Sequence, residues 1–253
     1  MKKAYNSKRK FYIFPGLLCI CLIFFNISCG LDVLDAVLED PFYTDDRPNV
    51  ESEFDKRHFA FSTSKLDNSN SFGKGYVYYK IYNKASKKES EVNNIESMTS
   101  DSSRRYNAAT TLINNYSYKE LQYTSGLGQI VSPLTLDNVN QDIYIRLTNY
   151  VDTFIAQIRI DDKEVGIPLR YNGKTFDFGR TGEYDEKPVK ANATEESSTD
   201  VRLFDSAGDG NGDTFYVVLY GVFSMPTDSF EKIIYSPVHY LGEVKIEATE
   251  QNN

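Results

Sequence analysis

The sequence predicts a mainly β protein, an antiparallel β-sandwich that carries one inserted helix and polar loops. Three observations lead there. Apolar and polar residues alternate at period two across residues 142–179; Asp-rich and Asn-Gly turns cut that stretch into hairpin lengths; and residues 215–223 are apolar on both faces, as the central strand of a covered sheet must be.

Within the meander, Ile143, Ile145 and Leu147 alternate with Tyr144, Arg146 and Thr148. Phe154, Ala156, Ile158 and Ile160 then alternate with Ile155, Gln157 and Arg159. Asp161-Asp162-Lys163 separates this run from Val165, Ile167 and Leu169 at hairpin spacing, and Tyr171-Asn172-Gly173-Lys174 supplies a turn before Phe176 and Phe178. Flanking strands are expected at 57–63, 75–82, 118–124, 201–204 and 241–246. Around ten short strands with such punctuation specify two packed antiparallel sheets. One helix is expected over 103–116, where Tyr106, Ala109, Ile113 and Tyr116 share a face and Asp101, Ser102 or Ser103 can cap it. Residues 83–100 and 183–200 have almost no apolar content and read as surface loops or disordered segments.

The chain has 253 residues, 40% hydrophobic and 25% charged, with 19 Tyr, 16 Phe and no Trp. That balance excludes a collagen-like, disordered or polytopic membrane chain. All three cysteines, Cys19, Cys21 and Cys29, lie in the first 29 residues, so nothing beyond them can form a disulfide. Residues 1–10 hold five basic side chains and no acidic one, and 11–27 form an uncharged apolar run interrupted by Pro15 and Gly16. A basic start before a short apolar segment is an export signal.

That run ends in Ser28-Cys29-Gly30, which resembles the lipobox of bacterial lipoproteins, in a loose form similar to that of spirochaetes. The resemblance implies that residues 1–28 are a cleaved signal peptide and that Cys29 carries a diacylglyceryl group on its thiol, with a fatty acyl chain such as palmitate on its new amino terminus. Two or three buried chains hold a protein stably at a bilayer, whereas one holds it marginally. The expected location is the bacterial cell envelope, at the outer membrane or a periplasmic face, with the membrane as a partner through the covalent lipid. Residues 29–56 then form an acidic tether with a short helix marked by Leu31, Leu34, Val37 and Leu38, and 57–253 form the β domain. Removal of the signal lowers the 28 basic side chains to 23 against 36 acidic ones, a net charge of −13. This opposes general binding to nucleic acid or anionic lipid.

Gly75-Tyr76-Val77-Tyr78-Tyr79-Lys80-Ile81-Tyr82, preceded by Phe59-Ala60-Phe61-Ser62, is similar to the early strands of fibronectin type III or immunoglobulin-like domains. The likeness implies a fold and transfers no functional residue.

The sharpest cluster of potential ligands is Asp205, Asp209, Asn211 and Asp213. Alternating oxygens of this kind begin an EF-hand-like calcium loop, but Thr214 stands where Gly is needed and Tyr220 where the bidentate Glu belongs. Flexible Gly and Asp between two strands also make a hairpin turn. Calcium is therefore the one cofactor the sequence suggests. His58, on the strand face opposite Phe59 and Phe61, and His239, in a loop after Pro237, stand outside any catalytic motif. There is no G-x-S-x-G elbow and no His or Cys metal spacing. The surplus of Tyr suits recognition of a protein or glycan, but the favoured reading is plain coverage of a sandwich without Trp. The expected function is a lipid-anchored module that binds or supports the envelope without catalysis. A carboxylate-dependent hydrolase and a calcium-dependent adhesive module are the other readings.

Overall fold

The period-two stretches form strands, and those strands join into two sheets. A computed structural model describes residues 42–63, 73–125, 130–131, 134–137, 140–150, 154–170, 178, 201–202, 214–226 and 233–247. In chain order the strands are β1 (Phe42–Tyr43), β2 (Phe59–Thr63), β3 (Lys74–Tyr82), β4 (Lys119–Glu120), β5 (Gln122–Ser125), β6 (Ile130–Val131), β7 (Thr135–Leu136), β8 (Asp142–Arg146), β9 (Gln157–Ile160), β10 (Lys163–Leu169), β11 (Val201–Arg202), β12 (Thr214–Pro226), β13 (Ile233–Tyr235) and β14 (His239–Glu247). The first sheet runs β1-β2-β8-β9-β10-β5-β6. The second centres on β3 and β12, paired antiparallel from Tyr216↔Tyr82 to Ser224↔Lys74. Among the described residues every strand pair is antiparallel except β11 with β3.

The expected central strand is β12. Its far edge takes β14 along 214–221 and β13 along 224–226, so both edges are paired. Phe215, Val217 and Leu219 join a cluster shared with the first sheet, which contributes Phe59, Phe61, Ile143, Ile145 and Ile158. Val218, Tyr220 and Val222 face the other way, into a second cluster beneath the helices. Each fully buried Val, Leu, Ile or Phe contributes roughly 1.5–3 kcal/mol, so a strand buried on both faces contributes more per residue than one buried on a single face.

β3 handles its free edge differently. Three two-residue strands cover it in turn: β7 at Gly75–Tyr76, β4 at Tyr78–Tyr79 and β11 at Ile81–Tyr82. Leu121 N donates to Val77 O at 2.8 Å in the gap between them. Segments from three parts of the chain thereby remove an open row of backbone donors and acceptors that would otherwise invite another strand.

The helix expected over 103–116 is present as α2 (Arg105–Thr110), continued by a π-helical turn at Thr111–Asn115. Its buried face centres on Ala108, Ala109 and Leu112, one step round from Tyr106. Asp101 organises the turn before it: Oδ1 accepts from Ser103 N and Oγ at 2.9 and 2.6 Å, and Oδ2 accepts from Arg104 Nε at 2.7 Å. These donors hold the exposed Asp101 carboxyl down to about 2, the Ser103 hydroxyl contributing most.

The expected loop over 83–100 is overturned. Residues 83–100, read as a polar loop, contain the 16-residue helix α1 (Ala85–Ser100). Its apolar stripe is only Val92, Ile95 and Met98, and the rest of its buried face is Lys88, 4% exposed, with Glu91 beside it. The helix is amphipathic, but part of its inner face is ionic, which hides it from a reading based on apolar period. The other polar segment, 183–200, lies outside the described residues, as does the short helix expected after Cys29.

Within the segment expected as tether, Phe42 and Pro48 are buried against the sheets while most of residues 43–56 are exposed. Phe42 is buried with its ring over Gly221, where an added Cβ would stand 2.8 Å from it, and Glu243 N donates to Pro48 O at 3.0 Å. The β9–β10 hairpin turns on Asp161 and Asp162, both at positive φ (50° and 61°), the geometry of a two-residue turn that matches strand twist. Gly166 sits at a bulge in β10, where an added Cβ would lie 2.0 Å from Thr124 O of β5. Gly166→Ala is therefore expected to lower stability by about 2–4 kcal/mol, because two hydrogen-bonded strands must separate to admit a methyl group. Urea unfolding checks this through a lower midpoint at an unchanged m-value.

Candidate functional site

Two polar assemblies lie on opposite sides of the fold. The first fills the layer between α1, α2 and the second sheet. Lys80 lies mid-strand in β3 with Nζ 2.6 Å from Glu91 Oε2 on α1, their side chains 5% and 14% exposed. The same ammonium lies 5.0, 5.6 and 5.6 Å from the ring centres of Tyr82, Tyr116 and Tyr118. Tyr82 OH donates to Glu91 Oε2 at 2.9 Å and shares a 2.9 Å hydrogen bond with Tyr118 OH. A turn earlier on α1, Lys88 Nζ meets Glu243 Oε1 at 2.6 Å and lies 5.1 Å over the Tyr216 ring.

The tyrosine-bearing face of β3 is thus packed beneath the helices. Tyr78 and Tyr82 are buried there, and Tyr76 is partly so. Burial raises the Tyr82 and Tyr118 hydroxyls well above the ordinary phenol range, with Glu91 adding to both and the neighbouring Tyr118 to Tyr82. Tyr220 and Tyr240 are raised by burial and then by the phenols and carboxylates around them, Glu96 and Glu243 included. Chemically the layer is closed: its cations face carboxylates and its phenols keep their protons. Such an arrangement fixes a helix on a sheet.

The second assembly is the outward face of the first sheet. Ala60, Tyr144 and Arg159 stand in register across β2, β8 and β9, and Glu164 follows on β10. The Tyr144 ring stacks on His58 at 4.6 Å and 24°, with Arg159 Cζ 4.2 Å and Arg146 Cζ 5.6 Å from its centre. Arg146 also lies 4.9 Å over Phe154 and donates from Nη2 to Asp55 O at 2.9 Å. His58 Nδ1 lies 2.9 Å from that carbonyl, which can only accept, so Nδ1 carries the proton. Half-burial chiefly, and then Arg146 and Arg159, hold His58 below the usual imidazole range. Arg57 stacks beside this group on Phe54 and Tyr150 at 4.8 and 5.3 Å, with its nitrogens on Ser52 O and Lys245 O. A cleft of about 440 Å³ opens beside His58, lined also by Asp46, Arg47, Glu51, Glu53 and Lys56.

The expected face for His58 is correct, and its ring serves as a wall of this group. His239 is the first residue of β14 and lies 2.9 Å from Thr44 Oγ1, so the loop expected there is a strand. Cys29 and the calcium candidates Asp205, Asp209, Asn211 and Asp213 all lie outside the described residues. The arginine face went unread because its members come from separate strands. The available signal was Tyr144, Arg146 and Arg159 at outward positions of consecutive strands, which only register brings together.

No protein-family model matches this chain, and no curated protein or solved structure matches it either. Among the described residues no helix is long and apolar enough to cross a membrane.

Two outcomes follow from the closed layer. Glu91→Ala leaves Lys80 buried without its carboxylate and is expected to cost about 3–5 kcal/mol, whereas the paired replacement Lys80→Met with Glu91→Leu restores most of the loss. Chemical denaturation of the three proteins measures both. The second outcome concerns alkali. Unfolded phenols ionise near pH 10, while those of Tyr78, Tyr82, Tyr118, Tyr220 and Tyr240 are raised in the fold. Their contribution is intact below pH 10 and is lost as pH climbs above it, since only the unfolded chain releases those protons. Phenolate absorbance from this group should rise together with the loss of β circular dichroism; a rise well before unfolding contradicts the packing described.

Proposed function

We propose that this chain is a lipid-anchored, extracytoplasmic binding module of a bacterial envelope, in which Cys29 carries the lipid once residues 1–28 are removed and the domain binds a ligand without catalysis. Its architecture on this reading is a β-sandwich, supported by the apolar cluster to which both sheets contribute. The immunoglobulin- or fibronectin-like form of that sandwich rests on the β2 and β3 sequences alone.

The observation that carries the binding reading is how the fold divides its polar groups. Under α1, Lys80 and Lys88 each meet a carboxylate, and Tyr82 and Tyr118 are hydrogen-bonded to each other and through Tyr82 to Glu91. On the opposite sheet, Arg146 and Arg159 are stacked on aromatic rings and no ion pair joins either to a described carboxylate. Stacked guanidinium groups with spare N–H donors are recognition groups rather than proton-transfer groups. The anchor reading draws on Ser28-Cys29-Gly30 after a basic and apolar leader.

The intact mass of the protein from its native cells, beside Cys29→Ser, tests the anchor. Wild type is expected to begin at Cys29 with added acyl mass, and the variant to retain residues 1–28. If both retain the leader without acyl mass, the chain is signal-anchored and the lipoprotein reading fails.

A further inference from the structure

Among the described residues, the face around Tyr144 holds two cations with no carboxylate partner. Arg146 is 5% exposed. The Nε atoms of Arg146 and Arg159 are closed off from solvent and make no hydrogen bond. A guanidinium taken out of water is stabilised by a carboxylate or by a full set of acceptors. Here, among the described residues, Arg146 has one acceptor, Asp55 O, and Arg159 has none. Glu164 is the acid placed nearest by register, opposite Arg159 on β10, yet its side chain is exposed and forms no ion pair with it. What holds both groups in place is stacking: each lies within 5.6 Å of the centre of one ring, that of Tyr144, which His58 backs. Stacking on a ring face commits the plane of a guanidinium and leaves its in-plane donors for a ligand.

From this the geometry points to an oxyanion site: a phosphate or sulfate group, free or carried on a larger ligand, bound by Arg146 and Arg159 on the Tyr144 platform. Two guanidinium groups beside one ring bring two positive charges and two donor forks, which a doubly charged tetrahedral oxyanion can meet together. A single carboxylate meets one fork and leaves the other charge standing. Tyr144 and His58 are positioning residues here, and the sheet supplies rigidity, since β8 and β9 pair along 143–146 and 157–160. The inference rests on the reading that this face binds ligands, and it adds the ligand's chemical class. It does not depend on acylation of Cys29.

The test is thermal unfolding of the full-length chain in inorganic phosphate and in sulfate, against chloride at matched ionic strength, followed by circular dichroism. Wild type is expected to melt at higher temperature as phosphate rises, with the saturating dependence of a ligand that binds only the folded state. Arg159→Gln, at the more open of the two positions, is expected to weaken that dependence about tenfold or more. Arg146→Gln should do the same if it folds, and the Arg159 variant decides if it does not. Glu164→Gln is expected to preserve or strengthen the response, because it removes a competing anion. Vesicles containing phosphatidic acid form a second arm: protection by vesicles but not by inorganic phosphate assigns the group to a lipid headgroup.

An equal phosphate response in wild type and Arg159→Gln overturns the proposal. So does a loss of stability in Glu164→Gln as large as that in Arg159→Gln, which would make Glu164 the counter-ion. If citrate shifts melting in an Arg159-dependent way while phosphate, sulfate and vesicles do not, the oxyanion class is wrong and the binding reading stands. If no anion has any effect, both fall.

Discussion

The structure depends on a strand that is buried on both faces from Val217 to Phe223. β12 sits between β3 and β14, with Phe215, Val217 and Leu219 turned to the other sheet and Val218, Tyr220 and Val222 turned to the helices. One sheet covering one side is insufficient for such a strand, so the domain needs a second cover. That requirement explains α1 and α2: their task is to roof the far face of the second sheet, and their composition follows from what the roof must touch. β3 presents Lys80 there among tyrosines, so α1 must present a carboxylate, and does so with Glu91.

The same constraint decides what could be read from the sequence. A strand buried on both faces writes its position as an unbroken apolar run, and half-buried strands write theirs as alternation; β2, β3, β8, β10, β12 and β14 were legible for this reason. β6, β7 and β13 were not, since a strand of two or three residues that patches an edge has no period to show. α1 escaped because Lys88 and Glu91 look like a solvated face while they are buried by ion pairing across to Glu243 and Lys80. Apolar period detects burial only where burial is apolar.

The arginine face was half legible. Alternation placed Tyr144, Arg146 and Arg159 outward, and His58 on the face away from Phe59. Their convergence needed register: Ala60↔Tyr144↔Arg159 is a line across three strands separated by many residues of chain. The two assemblies also show opposite uses of a buried cation. Lys80 and Lys88 are paired within the protein and tie layers together, while Arg146 and Arg159 are held by rings and keep donors in reserve. Arg suits the second use because its flat group can stack and bind at once, which a Lys ammonium cannot.

The order in which β3 acquires neighbours has a consequence for biogenesis. Its full-length partner β12 begins at Thr214 and one of its edge patches is Val201–Arg202, so the second sheet cannot close until most of the chain has been made. Contacts of such long sequence separation form late and slowly. A ribosome-bound chain missing its last fifth would hold α1 and β3 with no sheet to pack them on. On the proposed reading of residues 1–28 as an export leader, this topology keeps the second sheet open until late in synthesis: its central strand begins at Thr214, and only β13 and β14 follow it.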